Sequence, residues 1–117
     1  MEGYMAQQVR DLARRMGRRI SERDVRVPAL RAMAARESGY IPTSELIDEL
    51  EAQFRPQGED AQILDNRNDT KFNQIVRNLK SHKSARTNIL ARGYAEEVDE
   101  GFRITDAGRA YLAILAE

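Results

Sequence analysis

The chain has no cysteine, a single histidine, only three prolines and no apolar run of the ~20 residues that a membrane span requires. The missing cysteines exclude a disulfide framework, thiolate zinc sites, iron–sulfur clusters and a cysteine nucleophile together. His82 is the sole imidazole. With no second histidine or cysteine beside it, neither a metal centre nor a cofactor is expected. The first residues, MEGYMAQQVRDLARRMGRRI, carry basic side chains but no continuous apolar segment after them, so they do not read as a secretory signal. The expected setting is the cytoplasm, away from membranes. At 117 residues, 41% hydrophobic and 32% charged, the composition is that of one globular domain with one modest core.

The formal charge is zero, with 19 basic and 19 acidic residues, but its distribution is uneven. Residues 1–36 hold nine basic and four acidic residues, and residues 37–70 hold two and nine. The stretch 71–92 then carries six basic residues and no acidic one, while residues 93–117 hold two and six. A basic block between acidic ones projects a local positive potential while the rest of the surface discourages indiscriminate binding to polyanions. A solvated helix face has the same composition, so the pattern inside the block has to decide.

Met5, Val9, Leu12, Met16 and Ile20 recur at spacings of four and three, forming the apolar stripe of a first helix whose Arg10, Arg14, Arg15, Arg18 and Arg19 lie largely on other faces. Residues 1–24 are therefore set apart as an arginine-rich amphipathic helix, and 25–117 as the domain proper. A second helix is expected from about Val25 to Arg36, with Pro28 in its first turn and Ser38-Gly39 ending it. Tyr40-Ile41-Pro42 reads as an extended link. Thr43 or Ser44 then caps a helix through Leu46, Ile47, Leu50 and Phe54, which Pro56 and Gly58 stop. Residues 57–68 read as a long loop, with Ile63-Leu64 as its anchor.

Asp69-Thr70 supplies the cap of a fourth helix, in which Phe72, Ile75, Val76 and Leu79 follow strict helical spacing. At about 100° per residue the opposite side carries Gln74, Arg77 and Ser81, flanked by Asn73, Asn78 and Lys80. The spacing leaves its end open between His82 and Arg92, because Leu90 is still in phase with Phe72. Tyr94 to Val98 and Phe102 to Ile104 read as a hairpin turning at Asp99-Glu100-Gly101. Thr105 or Asp106 caps a last helix that Tyr111, Leu112 and Leu115 fold back on the core.

Helices, then a basic helix, then a two-stranded hairpin is the order of a winged helix-turn-helix. In that architecture the last helix before the hairpin enters the major groove and the hairpin is the wing. The fold expected is thus mainly α with a small β-hairpin wing. The segments KFNQIVRNLKSHKSARTNILARGYAEEV and GFRITDAGRAYL resemble the winged-helix modules that accompany bacterial restriction endonucleases, with the N-terminal domain of Mrr-type restriction proteins a related example. The resemblance is carried by Phe-x-x-x-Val-Arg-Asn-Leu-x-Ser-His from Phe72 to His82. An approximate Leu-x-x-x-Gly turn from Ile89 to Gly93 and Phe-Arg-Ile-Thr-x-x-Gly from Phe102 to Gly108 complete it. It spans Pro28 to Leu115 and implies binding to double-stranded DNA in a restriction-modification or defence setting, beside a fused or separate nuclease. The chain itself departs from that pattern, since it lacks a nuclease motif. Asp69-Thr70-Lys71 is its only Asp-x-Lys tail, and Asp69 is better used as a helix cap than on Mg²⁺. No catalytic residue is assigned and no enzyme is expected.

The expected DNA-binding residues are Lys71, Asn73, Gln74, Arg77, Asn78, Lys80, Ser81, Lys83, Arg86 and Arg103. Arg77 has the fork to hold guanine O6 and N7, against a salt bridge within the domain as the plain alternative. Asn73, Gln74 and Asn78 suit adenine or water-mediated readout. Lys80, Ser81, Lys83 and Arg86 suit phosphates, which position without specifying. His82 is expected to be a buried or half-buried structural side chain, and Tyr94 and Phe102 to be core. Arg103 would reach the minor groove from the wing, although Glu96, Glu97, Asp99 and Glu100 make that wing acidic. The arginines of residues 10–19 suit a backbone clamp, a dimer surface or a solvated face. Two further functions fit the sequence: a small transcription regulator that forms a homodimer through the first helix, and a winged-helix interaction module that binds a protein and no DNA.

Overall fold

A computed structural model describes residues 20–55 and 70–116, and among these are four helices and three strands. Helix α1 is Glu22–Ala34. Ser21 precedes it in extended conformation and donates its N–H to the Asp24 carboxylate at 2.9 Å, while Glu22 and Asp24 place negative charge at the positive end of the helix. This cap starts the helix ahead of the expected Val25, across the boundary drawn between residues 24 and 25. Pro28 consequently lies in the second turn rather than the first, where it has no N–H to add to the helix. Val25, Ala29, Leu30, Ala32 and Met33 form the buried face.

Tyr40–Pro42, expected as a link, is strand β1. Strands β2 (Ala95–Val98) and β3 (Gly101–Ile104) form the hairpin, and β1 adds to its other side to give an antiparallel sheet of order β1-β3-β2. Pro42 is tolerated because β1 is an edge strand. Gly101 is needed for the pairing and not for the turn. Opposite Pro42 in register, it is buried where a Cβ would run into the Ile41 carbonyl and the Tyr40 ring, and the residue with positive φ in the turn is Glu100, at 53°.

Helix α2, Thr43–Phe54, buries Leu46, Ile47, Leu50 and Phe54 at the expected spacing. Its cap differs from expectation. Pro42 occupies the N-cap without a side-chain acceptor, and the Thr43 N–H donates instead to the Glu100 carbonyl of the hairpin turn at 2.8 Å. The hairpin thus satisfies one orphan donor of the helix. Arg55, with φ 47°, ends α2 in left-handed conformation.

Helix α3 is Lys71–Ser81, capped by the Thr70 hydroxyl, which accepts from the Asn73 N–H at 3.1 Å. Phe72, Val76 and Leu79 are fully buried and Ile75 packs beside them. The Phe72 ring meets Phe54 of α2 at 5.7 Å, and Phe72 and Phe102 are the largest buried side chains. Each such side chain contributes roughly 1.5–3 kcal/mol by burial, so α3 is held by its apolar face rather than by its short length.

Helix α4, Asp106–Ala116, starts as expected, with the Thr105 hydroxyl accepting from the Gly108 N–H at 3.0 Å. Gly108 is its one buried residue, packed so closely on Tyr94 that a Cβ would strike the Tyr94 carbonyl. Tyr111 stacks on Tyr94 at 4.4 Å and Leu112 packs at the core edge. Leu115 does not fold back: it is 44% exposed and Ile114 65%. No described helix is long and apolar enough to cross a membrane. The first helix, the 57–68 loop with its Ile63-Leu64 anchor, and Asp69 lie outside the described residues.

Candidate nucleic-acid interface

Burial of Phe72, Val76 and Leu79 fixes the rotation of α3 and turns the side centred on Arg77 and Ser81 to solvent. Arg77 stands about 150° from the middle of the apolar stripe. Lys71, Asn73, Gln74 and Asn78 are half-buried on its flanks. The Gln74 amide donates to Asn78 Oδ1 at 2.9 Å, so these two side chains are held as a pair, while Asn73 Oδ1 is buried without a hydrogen-bond partner. No acidic residue lies on α3.

Lys80, Lys83 and Arg103, expected on phosphates or in the groove, are also engaged within the protein. Lys80 Nζ sits 5.1 Å from the centroid of the buried Phe102 ring, a cation–π contact that draws it toward the sheet. Lys83 pairs with Glu97 of β2 at 3.1 Å. Arg103 approaches Glu96, its register partner across the hairpin, at 3.5 Å. Both ion pairs are substantially exposed, so each contributes little to stability, yet each holds a carboxylate beside a cation. Ser81 and Arg86 are exposed.

Helix α3 ends at Ser81, not Arg92, and the reason is Asn88. This side chain is fully buried; its amide donates to the Leu79 carbonyl at 2.8 Å, and its oxygen accepts from the Leu90 N–H at 2.6 Å. Leu79 is thereby relieved of the carbonyl that the end of a helix leaves orphaned, and Asn88 caps a single new helical turn over residues 89–92. Gly93, with φ 77°, closes that turn by a Schellman pattern, Tyr94 N–H to the Ile89 carbonyl at 3.0 Å and Gly93 N–H to the Leu90 carbonyl at 3.1 Å. Leu90 stays half-buried against the core although it is no longer on α3. Sequence reasoning passed over Asn88; the signal was an Asn cap and a Gly terminator bracketing one apolar turn.

His82 is exposed rather than buried, and its Nδ1 meets the Glu22 carboxylate of α1 at 2.7 Å. Glu22 also lies 3.4 Å from the Asn88 amide. Arg26 of α1 donates from Nη2 to the Thr87 hydroxyl at 3.0 Å. The start of α1 thus fastens the segment 82–93 at two points. Away from this face, Arg36, just past the end of α1, bridges Glu45 at 3.0 Å and Glu49 at 2.8 Å of α2; the hydrogen bonds it donates to Glu49 and then Glu45 raise its pKa above the ordinary arginine value. Phe102 is core, as expected, and Tyr94 is half-buried under Tyr111.

Among the described residues no group of three histidine or acidic side chains is placed to hold a metal ion. Compared with known proteins, the chain matches no family model, no curated protein and no solved structure.

Proposed function

We propose that this chain is a winged helix-turn-helix module that binds double-stranded DNA without acting on it, with α3 in the major groove and the β2–β3 hairpin as the wing. One observation carries the reading: α3 buries Phe72, Val76 and Leu79, and its other side, which includes the exposed Arg77, carries basic and amide side chains and no acidic residue of α3. The element order, with β1 between the first two helices and the hairpin after the third, agrees with that architecture. A restriction-linked or defence-linked setting, with a nuclease partner, rests on the resemblance, in which Phe72 to His82 is the discriminating element.

The test is a titration of random duplex DNA at several salt concentrations. Affinity should fall steeply as salt rises, through counterion release from the phosphates. Binding absent at low salt, or indifferent to salt, would favour the protein-interaction reading, which the acidic hairpin and its pairs with Lys83 and Arg103 support.

Arg77→Lys should separate readout from charge. It keeps the cation but loses the planar fork, so discrimination between a preferred and a random duplex should drop by ~1–3 kcal/mol per guanine read, with non-specific affinity little changed. Competition between the two duplexes at fixed salt measures this. Equal loss on both would make Arg77 a phosphate contact.

Glu96→Gln combined with Glu97→Gln should act in the opposite direction. Removing the two carboxylates frees Lys83 and Arg103 and lifts repulsion of phosphates, so duplex affinity should rise a few fold at low salt. The gain should vanish near ~1 M salt, where the Debye length is ~3 Å. An unchanged affinity at low salt would place the hairpin away from the duplex.

A further inference from the structure

Resting on the duplex-binding reading, we propose that the segment 82–93 at the end of α3, and not the wing, is the second grip on the DNA backbone, with Arg86 and Arg92 on phosphates. A winged helix would be expected to use its hairpin for this, but here the hairpin is acidic. Glu96, Glu97, Asp99 and Glu100 are all exposed, and Arg103, the one cation on its strands, already has a carboxylate beside it. The segment 82–93 has the reverse character. It carries His82, Lys83, Arg86 and Arg92 and no acidic residue.

Lys83 is spent on Glu97, but Arg86 and Arg92 are exposed and neither guanidinium is in an ion pair. Arg92 Nε lies 3.4 Å from the Arg86 carbonyl, which brings the two residues together across the capped turn. Arg26 adds a third guanidinium from α1 and, through its bond to Thr87, acts as a positioning residue. Among the described residues the carboxylates that meet this segment are Glu97, on Lys83, and Glu22, which meets His82 and the Asn88 amide.

The segment is also rigid by construction. Asn88 ties its middle to the end of α3, the Schellman turn closes its far end, and Glu22 and Arg26 pin it to α1. Cations held in advance lose less side-chain and loop entropy on meeting phosphates than cations on a free loop. Each phosphate neutralised contributes ~0.9 to the slope of log affinity against log salt.

The experiment measures that slope for the full chain with a short random-sequence duplex. Arg86→Gln with Arg92→Gln should lower it by about 1.8 and weaken low-salt binding on the order of tenfold or more. Arg86→Lys with Arg92→Lys should keep the slope. Arg86→Gln alone guards against unfolding, because that guanidinium holds no bond in the fold, and it should give about half the slope change. If the wild type binds and the Gln variants keep its slope, or if Arg103→Gln lowers the slope instead, this inference is overturned while duplex binding stands. If the wild type binds no duplex at low salt, both fall.

Discussion

Val76→Asp should abolish the fold, while Arg77→Asp, one residue on, should leave the domain folded and abolish duplex binding. Val76 is fully buried between Phe72 and Leu79, on the side of α3 that packs against α1 and α2. The substitution removes roughly 1.5–3 kcal/mol of apolar burial and places an unpaired carboxylate in the core at a cost of several kcal/mol more. A domain of this size has ~5–15 kcal/mol in total. Arg77 is exposed, so its replacement leaves the apolar core intact and costs far less stability than that of Val76. Circular dichroism and thermal melting decide the first half, and duplex titration the second. A stable Val76→Asp protein would mean that α3 is rotated and that Arg77 does not face outward.

Asn88→Ala carries the second large expected effect, a loss of about 2–4 kcal/mol from leaving the Leu79 carbonyl and the Leu90 N–H buried without partners. Asn88→Asp should cost more. It retains the acceptor for Leu90 but turns an oxygen toward the Leu79 carbonyl and brings a second carboxylate close to Glu22. Chemical denaturation ranks the two variants. Where the Ala variant remains folded, hydrogen exchange should show faster opening of residues 82–93 than of α1, since the side chain that binds this segment to α3 is gone. A variant as stable as the wild type would remove Asn88 from its assigned role as the pivot between α3 and the following turn.

The two residues differ in how visible they were beforehand. Val76 belongs to a stripe whose period is local: four apolar side chains at helical spacing pick out one side of a helix whatever surrounds it, and the acid-free opposite face follows from the same count. The Thr70 and Thr105 caps were legible for the same reason, since a hydroxyl and the N–H it serves lie three residues apart. Asn88 was not legible, because its value lies in the Leu79 carbonyl that it reaches across a change of chain direction. The in-phase Leu90 argued for a longer helix, and only the burial of Asn88 overrides it.

Strand β1 shows the same limit from another side. Three residues ending in proline have no strand period to detect, and Tyr40–Pro42 becomes a strand because Gly101, on a distant strand, lacks the side chain that would keep it away. Charges behave likewise. Six basic residues without an acid between positions 71 and 92 are a fact of composition, but composition does not say what they face. The sheet brings Glu97 to Lys83, Glu96 to Arg103 and the Phe102 ring to Lys80. Arg86 and Arg92 are left unpaired by the turn that Asn88 caps.

By itself the sequence determined the helix carrying the basic face, its inner and outer sides, the hairpin after it and the acid-free character of the block, because each is set by neighbours within about one or two helical turns or strand steps. Only the tertiary structure decided where that helix stops, that a third strand completes the sheet, and which cations have a carboxylate or ring beside them. Those outcomes depend on contacts between residues far apart in the chain, and a carbonyl to be satisfied or a carboxylate within reach exists only once the elements are packed together.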